Sequence, residues 1–237
     1  QQAITKGQMK HGAASDLAVT TGLLADSFAR LFPYQREDVE RITGRQKGRV
    51  LLALDVGLGK TAVALISAYV LDAYPILVVC PAGLRLNWKA EIGKWLPGVF
   101  GQDDVTVVRT GQDRIGGRVC IISYDLAASR IEELKRFRPK TVILDESHAL
   151  KNPKSLRSKR LVPLCRAVPH CLLLTGTPML NRPMELYPLL KALRIKGLPD
   201  RRGFGIRFCD GQQKVIGYNH RLKKPKTAWD FSGSSNL

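Results

Sequence analysis

Two stretches of this chain carry side chains spaced for phosphate chemistry. The first is Leu54-Asp55-Val56-Gly57-Leu58-Gly59-Lys60-Thr61. Glycines at 57 and 59 let the backbone approach an anion with no Cβ in the way. A helix opening at Lys60 would aim its first N–H groups, and the positive end of its dipole, at that anion. Lys60 can reach terminal phosphates, and the Thr61 hydroxyl can ligate Mg²⁺. The strict phosphate-loop pattern has a further glycine where this chain has Leu54, so the match is to the Gly-x-Gly-Lys-Thr core. The second stretch is Thr141-Val142-Ile143-Leu144-Asp145-Glu146-Ser147-His148, an apolar run leading straight into two carboxylates. An acid at a strand end suits Asp145 to holding Mg²⁺ against a nucleoside triphosphate. Glu146 could then orient or deprotonate an attacking water. Each stretch has a plain alternative: a glycine turn beside an exposed lysine, and an acidic pair capping a helix. Their occurrence together favours nucleotide chemistry.

Such side chains work only if strands and helices bring them to one place. An apolar run, Val50-Leu51-Leu52-Ala53, precedes the loop, and helical periodicity follows from Ala62 to Leu71. Further strands are predicted at Pro75 to Pro81, Val105 to Val108, Arg118 to Tyr124, and Cys171 to Leu174, the last ending in Thr175-Gly176-Thr177-Pro178. Helices are predicted from Pro33 to Gly44, through Trp88 to Leu96, over Ile131 to Phe137, from Ser155 to Ala167 and from Pro183 to Leu193. Continuous apolar strands alternating with helices specify an α/β fold, a parallel sheet covered on both faces. Ligands bind such sheets at the carboxyl ends of the strands, where every motif above falls. Gln35 offers a donor and an acceptor that could match one edge of adenine, although a surface glutamine explains it as well. Residues 1–29 read as a linker or loosely packed lead-in, 30–195 as the nucleotide-binding lobe, and 196–237 as a basic segment with interleaved aromatics. That last segment is either a mobile arm or an insertion folded against the lobe.

Composition bounds the partners. Lys and Arg number 38 against 20 Asp and Glu, a formal charge of +18, which argues for a polyanion, most simply nucleic acid. Apolar residues at 44% and charged residues at 24% describe a globular chain. No apolar run is long enough to cross a bilayer. The five cysteines are odd in number and scattered, as in a reducing compartment. Cys165, His170 and Cys171 do not have zinc-site spacing. The chain begins with Gln1 rather than methionine and stops at Leu237, so a piece of a longer protein is expected; the sequence leaves the oligomeric state open, with a monomer the expectation.

Taken together, Gln35, Asp55 to Thr61, Asp145 to His148 and Leu174 to Pro178 resemble, in order and spacing, the first motor lobe of Swi/Snf-type DNA translocases, within helicase superfamily two. The resemblance runs from about Leu31 onward. Arg207-Phe208-Cys209-Asp210 and Trp229 to Leu237 resemble the segment after that lobe in the annealing-helicase branch, the HARP-type fork-remodelling enzymes. This implies a RecA-like lobe, ATP and Mg²⁺ as cofactors, duplex or branched DNA as partner, and the nucleus as location. It implies that Gln35 contacts adenine and that Gly57, Leu58, Gly59, Lys60 and Thr61 hold phosphates. Thr61 and Asp145 would hold Mg²⁺, while Lys60, Asp145 and Glu146 carry the chemistry. His148, Thr175, Gly176 and Thr177 would couple nucleotide state to DNA grip. Pro81, Gly83, Leu84, Ser123 and Tyr124 would line the DNA track. Val56 stands where the family commonly has methionine; a packing role is expected, with no functional consequence. No second motor lobe follows within these residues. Its arginine finger would be missing, and the chain alone is expected to hydrolyse little ATP. An RNA helicase of the same superfamily is disfavoured by Thr-Gly-Thr-Pro, since RNA helicases usually resemble Ser-Ala-Thr there. A lobe that only binds nucleic acid remains the non-catalytic alternative.

Overall fold

The computed structural model describes residue 22 and residues 25–177, 182–219 and 224–234. Most of the expected lead-in, together with Pro178 and Ser235 to Leu237, lies outside them.

Helix α1 (Pro33–Thr43) opens on a proline, whose fixed φ suits a first helical turn. It leads to β1 (Arg49–Ala53), the loop of interest, and α2 (Lys60–Val70). There follow β2 (Ile76–Cys80), a 3-10 turn at Ala82–Leu84, α3 (Arg85–Trp95), β3 (Val105–Val107) and β4 (Val119–Ser123). The second half contains α4 (Tyr124–Ser129), α5 (Ile131–Phe137), β5 (Thr141–Leu144), α6 (Leu156–Ala167), β6 (His170–Thr175) and α7 (Tyr187–Ala192). The strands β1 to β6 form one parallel sheet in the order β1-β6-β5-β2-β4-β3.

That order follows from two runs in opposite directions. β1, β2 and β3 progress one way, with α1, α2 and α3 covering one face through Val39, Ile42, Val63, Ile66, Trp88 and Ile92. After β4 the chain doubles back, and α4, α5, α6 and α7 cover the other face through Ala127, Leu134, Leu161, Cys165 and Leu189. Successive residues of a strand serve opposite faces: Val78 and Cys80 join the first core, Leu77 and Val79 the second. The doubling back inserts β5 and β6 between β1 and β2, so Asp145 and Thr175 end up beside the glycine loop.

The amino edge of the sheet is held by Arg49. Its guanidinium donates to the carbonyls of Cys165 (2.9 Å), Val168 (2.7 Å), Pro169 (3.1 Å), Ala192 (2.6 Å) and Leu193 (3.2 Å). These oxygens close the C-termini of α6 and α7, where helices leave acceptors unpaired and favour a cation.

The basic segment after Lys196 folds onto the lobe. Asp200 caps α8 (Arg201–Phe208) by accepting from Gly203 N–H at 2.7 Å. β7 (Gln212–Asn219) and β8 (Lys224–Asp230) then form an antiparallel hairpin. Phe204 and Cys209 are buried with Met184 and Tyr187, and Phe208 and Phe231 pack against them. Of the two readings of this segment, this packing is the arrangement an inserted element would have.

Candidate active site

The glycine loop is braced from α1. Gln35 Nε2 donates to Leu58 O at 3.0 Å, and Tyr34 Oη donates to the same oxygen at 3.3 Å. Gln35 Oε1 accepts from Phe32 N–H at 2.9 Å. Gln35 is therefore buried and is no plain surface glutamine. Its amide fastens the loop to the helix start. Gly59 has φ +77°, and a Cβ there would meet Gln35 Nε2 at 2.3 Å. Only glycine satisfies both the left-handed backbone and the close approach.

Past Gly59, the N–H groups of Gly59, Lys60 and Thr61 find no acceptor among the described backbone. These are the donors that a helix start offers to an anion. Lys60 Nζ folds over the loop, donating to Leu54 O at 2.7 Å and Asp55 O at 3.0 Å. A Cβ at Gly176 would lie 3.8 Å from Lys60 Nζ, so the end of β6 abuts the lysine.

The acids follow β5. Asp145 Oδ2 accepts from Trp88 Nε1 at 2.9 Å and Oδ1 from Glu146 N–H at 3.0 Å. Its carboxylate is thus fixed in rotation while each oxygen retains acceptor capacity. Glu146 sits at φ +49°, a left-handed conformation that costs a non-glycine residue of order 1 kcal/mol or more and gathers at functional sites. Its Oε2 lies 3.2 Å from His148 Nδ1, which also lies 3.3 Å from Thr175 Oγ1. Thr175 Oγ1 accepts from Thr177 N–H at 3.1 Å. Glu146, His148, Thr175 and the Gly176 position beside Lys60 thus form a continuous line from acid to loop. The donor set fits a nucleoside triphosphate with Mg²⁺: a helix start and a lysine for the phosphates, and a hydroxyl and an oriented carboxylate for the metal.

The SNF2-related domain family matches residues 34–223, a span holding the loop, the acids and the hairpin's first strand. The chain belongs to the SNF2-related family. Among curated relatives it is 42% identical over 211 residues to the bovine SWI/SNF-related matrix-associated actin-dependent regulator of chromatin subfamily A-like protein 1, covering 87% of this chain and 21% of the relative. It is 33% identical over 217 residues to the human DNA annealing helicase and endonuclease ZRANB3, covering 88% of this chain and 19% of that one. The chain spans about a fifth of the length of these relatives. Among solved structures it resembles the Sulfolobus solfataricus SWI2/SNF2 ATPase core in complex with dsDNA, with a TM-score of 0.62 and 25% identity over 76% of this chain and 39% of that one. The α/β, RecA-like fold expected from the sequence is the fold found.

Within this SNF2-related lobe the expected DNA-track residues divide. Pro81 is half-buried, and Gly83 and Leu84 are exposed in the turn after β2. Ser123 and Tyr124 are buried instead. Tyr124 Oη donates to Asp145 O at 2.8 Å, and burial, followed by the Asp145 charge, pushes its hydroxyl well above the ordinary phenol value. It braces the acid strand as a neutral phenol. Burial also pushes the Cys80 thiol up to about 12, with Asp145 adding to the effect. Val56 is 86% exposed, so it provides no packing within the lobe, contrary to expectation.

Sequence reasoning missed Trp88 and Tyr34. A signal for Trp88 existed: a buried indole N–H needs an acceptor, and the acid at the end of β5 is the strongest one near the top of α3.

Proposed function

We propose that this chain is the ATP-binding first lobe of an ATP-driven translocase on duplex or branched DNA, in the annealing-helicase branch of its family, acting in the nucleus. The observation that carries the proposal is the line of contacts from Glu146 through His148 and Thr175 to Gly176 beside Lys60. Paired acids that merely cap a helix have no use for such a line.

In this reading Lys60 and the N–H groups of Gly57 to Thr61 bind the phosphates. Gln35 holds the loop through Leu58 O, and its second amide N–H, which donates to Tyr34 Oη at 3.4 Å, would exchange that partner for the base. Thr61 and Asp145 would hold Mg²⁺, which supplies charge neutralisation on the terminal phosphates when bound. Trp88 keeps the Asp145 carboxylate in one rotamer. Glu146 orients water and takes its proton, with His148 aiming the carboxylate. Movement at Glu146 then reaches Thr175 and Thr177 through His148, coupling hydrolysis to DNA contacts made by Pro81, Gly83 and Leu84. A second lobe would supply the arginine finger, so little turnover is expected from the chain alone.

The test is ATP turnover by a protein holding both lobes, with no nucleic acid, single-stranded DNA, fork DNA or duplex RNA. Strong stimulation by fork DNA is expected. Stimulation by RNA alone would move the protein to the RNA helicases. No turnover under any condition would leave a lobe that only binds.

A further inference from the structure

On the face of the lobe carrying α6, a groove of about 900 Å³ runs between α6, α7, α8 and the end of β8. Its walls hold Lys159, Arg166, Lys191, Arg201 and Arg202. Among the described residues none of these five is in an ion pair. The carboxylate lining the same groove, Asp200, is committed to capping α8. Five cations against the single Asp200 carboxylate leave an excess of positive charge, and a polyanion relieves that repulsion.

The groove also carries aromatic rings. Trp229 and Phe231 are partly exposed and stack with centroids 5.9 Å apart and planes 10° from parallel. The Arg202 guanidinium lies 4.6 Å from the Trp229 ring centre, and Arg201 lies 5.5 Å from that of Phe231. Together these make a flat, charged platform of planar groups. Unpaired bases stack on both aromatic rings and guanidinium planes.

We propose that this groove binds single-stranded nucleic acid, its backbone along Lys159, Arg166 and Lys191 and an unpaired base on the Arg202–Trp229 platform. A duplex keeps its bases inside its own stack and would have no use for the platform. A phosphorylated peptide needs an arginine cluster but not the rings. The inference rests on the motor reading and deepens it: at a branch, the unpaired strand would run in this groove while the duplex lies on the carboxyl edge of the sheet. The wall helix α6 is tied to the acid segment through Ser158 Oγ, which donates to Leu150 O at 2.7 Å.

The test is fluorescence anisotropy of labelled oligo-dT, and of a duplex of equal length, titrated with the 237-residue chain. Charge reversal at two exposed helix positions, Arg166→Glu with Lys191→Glu, should weaken oligo-dT binding about tenfold or more at moderate salt and flatten its salt dependence. Duplex binding should change less than about twofold if the duplex lies on the other edge. Trp229→Phe should retain oligo-dT binding, whereas Trp229→Ala should lose about tenfold. Should Trp229→Ala unfold the hairpin, the charge reversals decide alone. Equal loss for both probes would mean diffuse electrostatics and overturn the proposal, as would no loss for either. Selective loss of oligo-dT binding in a protein without DNA-stimulated ATP turnover would keep the groove and sink the motor reading. Stimulated turnover without selective loss would do the reverse.

Discussion

The carboxyl edge of the sheet and the basic appendage beyond Lys196 are held in different ways. At the edge, directed hydrogen bonds join groups far apart in the chain: Trp88 to Asp145, Gln35 to Leu58, His148 to Thr175. Each fixes a distance and an angle. The appendage is seated by ring packing and stacked guanidinium groups: Phe204 against Tyr187 and Phe208, Arg202 on Trp229. Such contacts fill space but tolerate sliding. Chemistry on a phosphate needs the first kind of placement, whereas a sequence-tolerant grip on a flexible strand works with the second.

Substitutions can break that contrast. The largest effect is expected from Lys60→Ala, which should lower ATP turnover about a thousandfold in a two-lobe protein while leaving chemical denaturation of the lobe nearly unchanged. Next comes Arg49→Met, which removes the donor from five carbonyls and should cost about 3 kcal/mol in a urea melt. A drop confined to the appendage would be wrong for Arg49, since it serves the sheet. Gly205→Ala sharpens the opposite side. Its Cβ would meet the Phe231 ring at 2.3 Å, so about 2 kcal/mol of local destabilisation is expected. Hydrogen exchange should rise in β7 and β8 but not in β1 to β6.

Two smaller effects follow. Trp88→Phe keeps the packing but frees Asp145 Oδ2, and about a tenfold loss of turnover is expected with little change in oligo-dT affinity. The sheet should also weaken in alkali. Burial raises the Cys80 thiol from 9.0 to about 12 and the Cys120 thiol to about 11. A buried acid with a raised pKa keeps its proton in the folded state after the unfolded chain has lost it. Stability from these thiols is therefore complete below about pH 9 and declines between pH 9 and 12. Thermal melts across that range should show a falling midpoint, and Cys80→Ala with Cys120→Ala should flatten the slope.

Much of the edge was legible in the sequence because its determinants are local. β2, β4 and β6 are continuous apolar runs, and the glycine loop sits directly between β1 and α2. The bracing was harder to read: the Trp88 indole calls for an acceptor, but no local pattern pairs it with Asp145, nor Gln35 with the Leu58 carbonyl. The family resemblance implies that Ser123 and Tyr124 line the DNA track, and the chain turns at once into α4 with both side chains buried. The appendage left the weakest trace. β7 is exposed on both faces, so it lacks the alternation that marks a half-buried strand. Its hairpin is visible only once Phe231 is seen seated against Gly205.

Arg49 has a mechanical consequence. β1 is a strut about 17 Å long at strand rise, with the glycine loop at one end and the Arg49 clasp at the other. The clasp grips the C-termini of α6 and α7, two of the three helices that wall the basic groove. Burial pulls the Arg49 guanidinium below its ordinary value, yet arginine stays charged through the neutral range and amide carbonyls do not titrate, so this joint should hold its stiffness around neutral pH. Under the proposed function, tension arising at the loop would pass down β1 to the Arg49 clasp and so to α6 and α7.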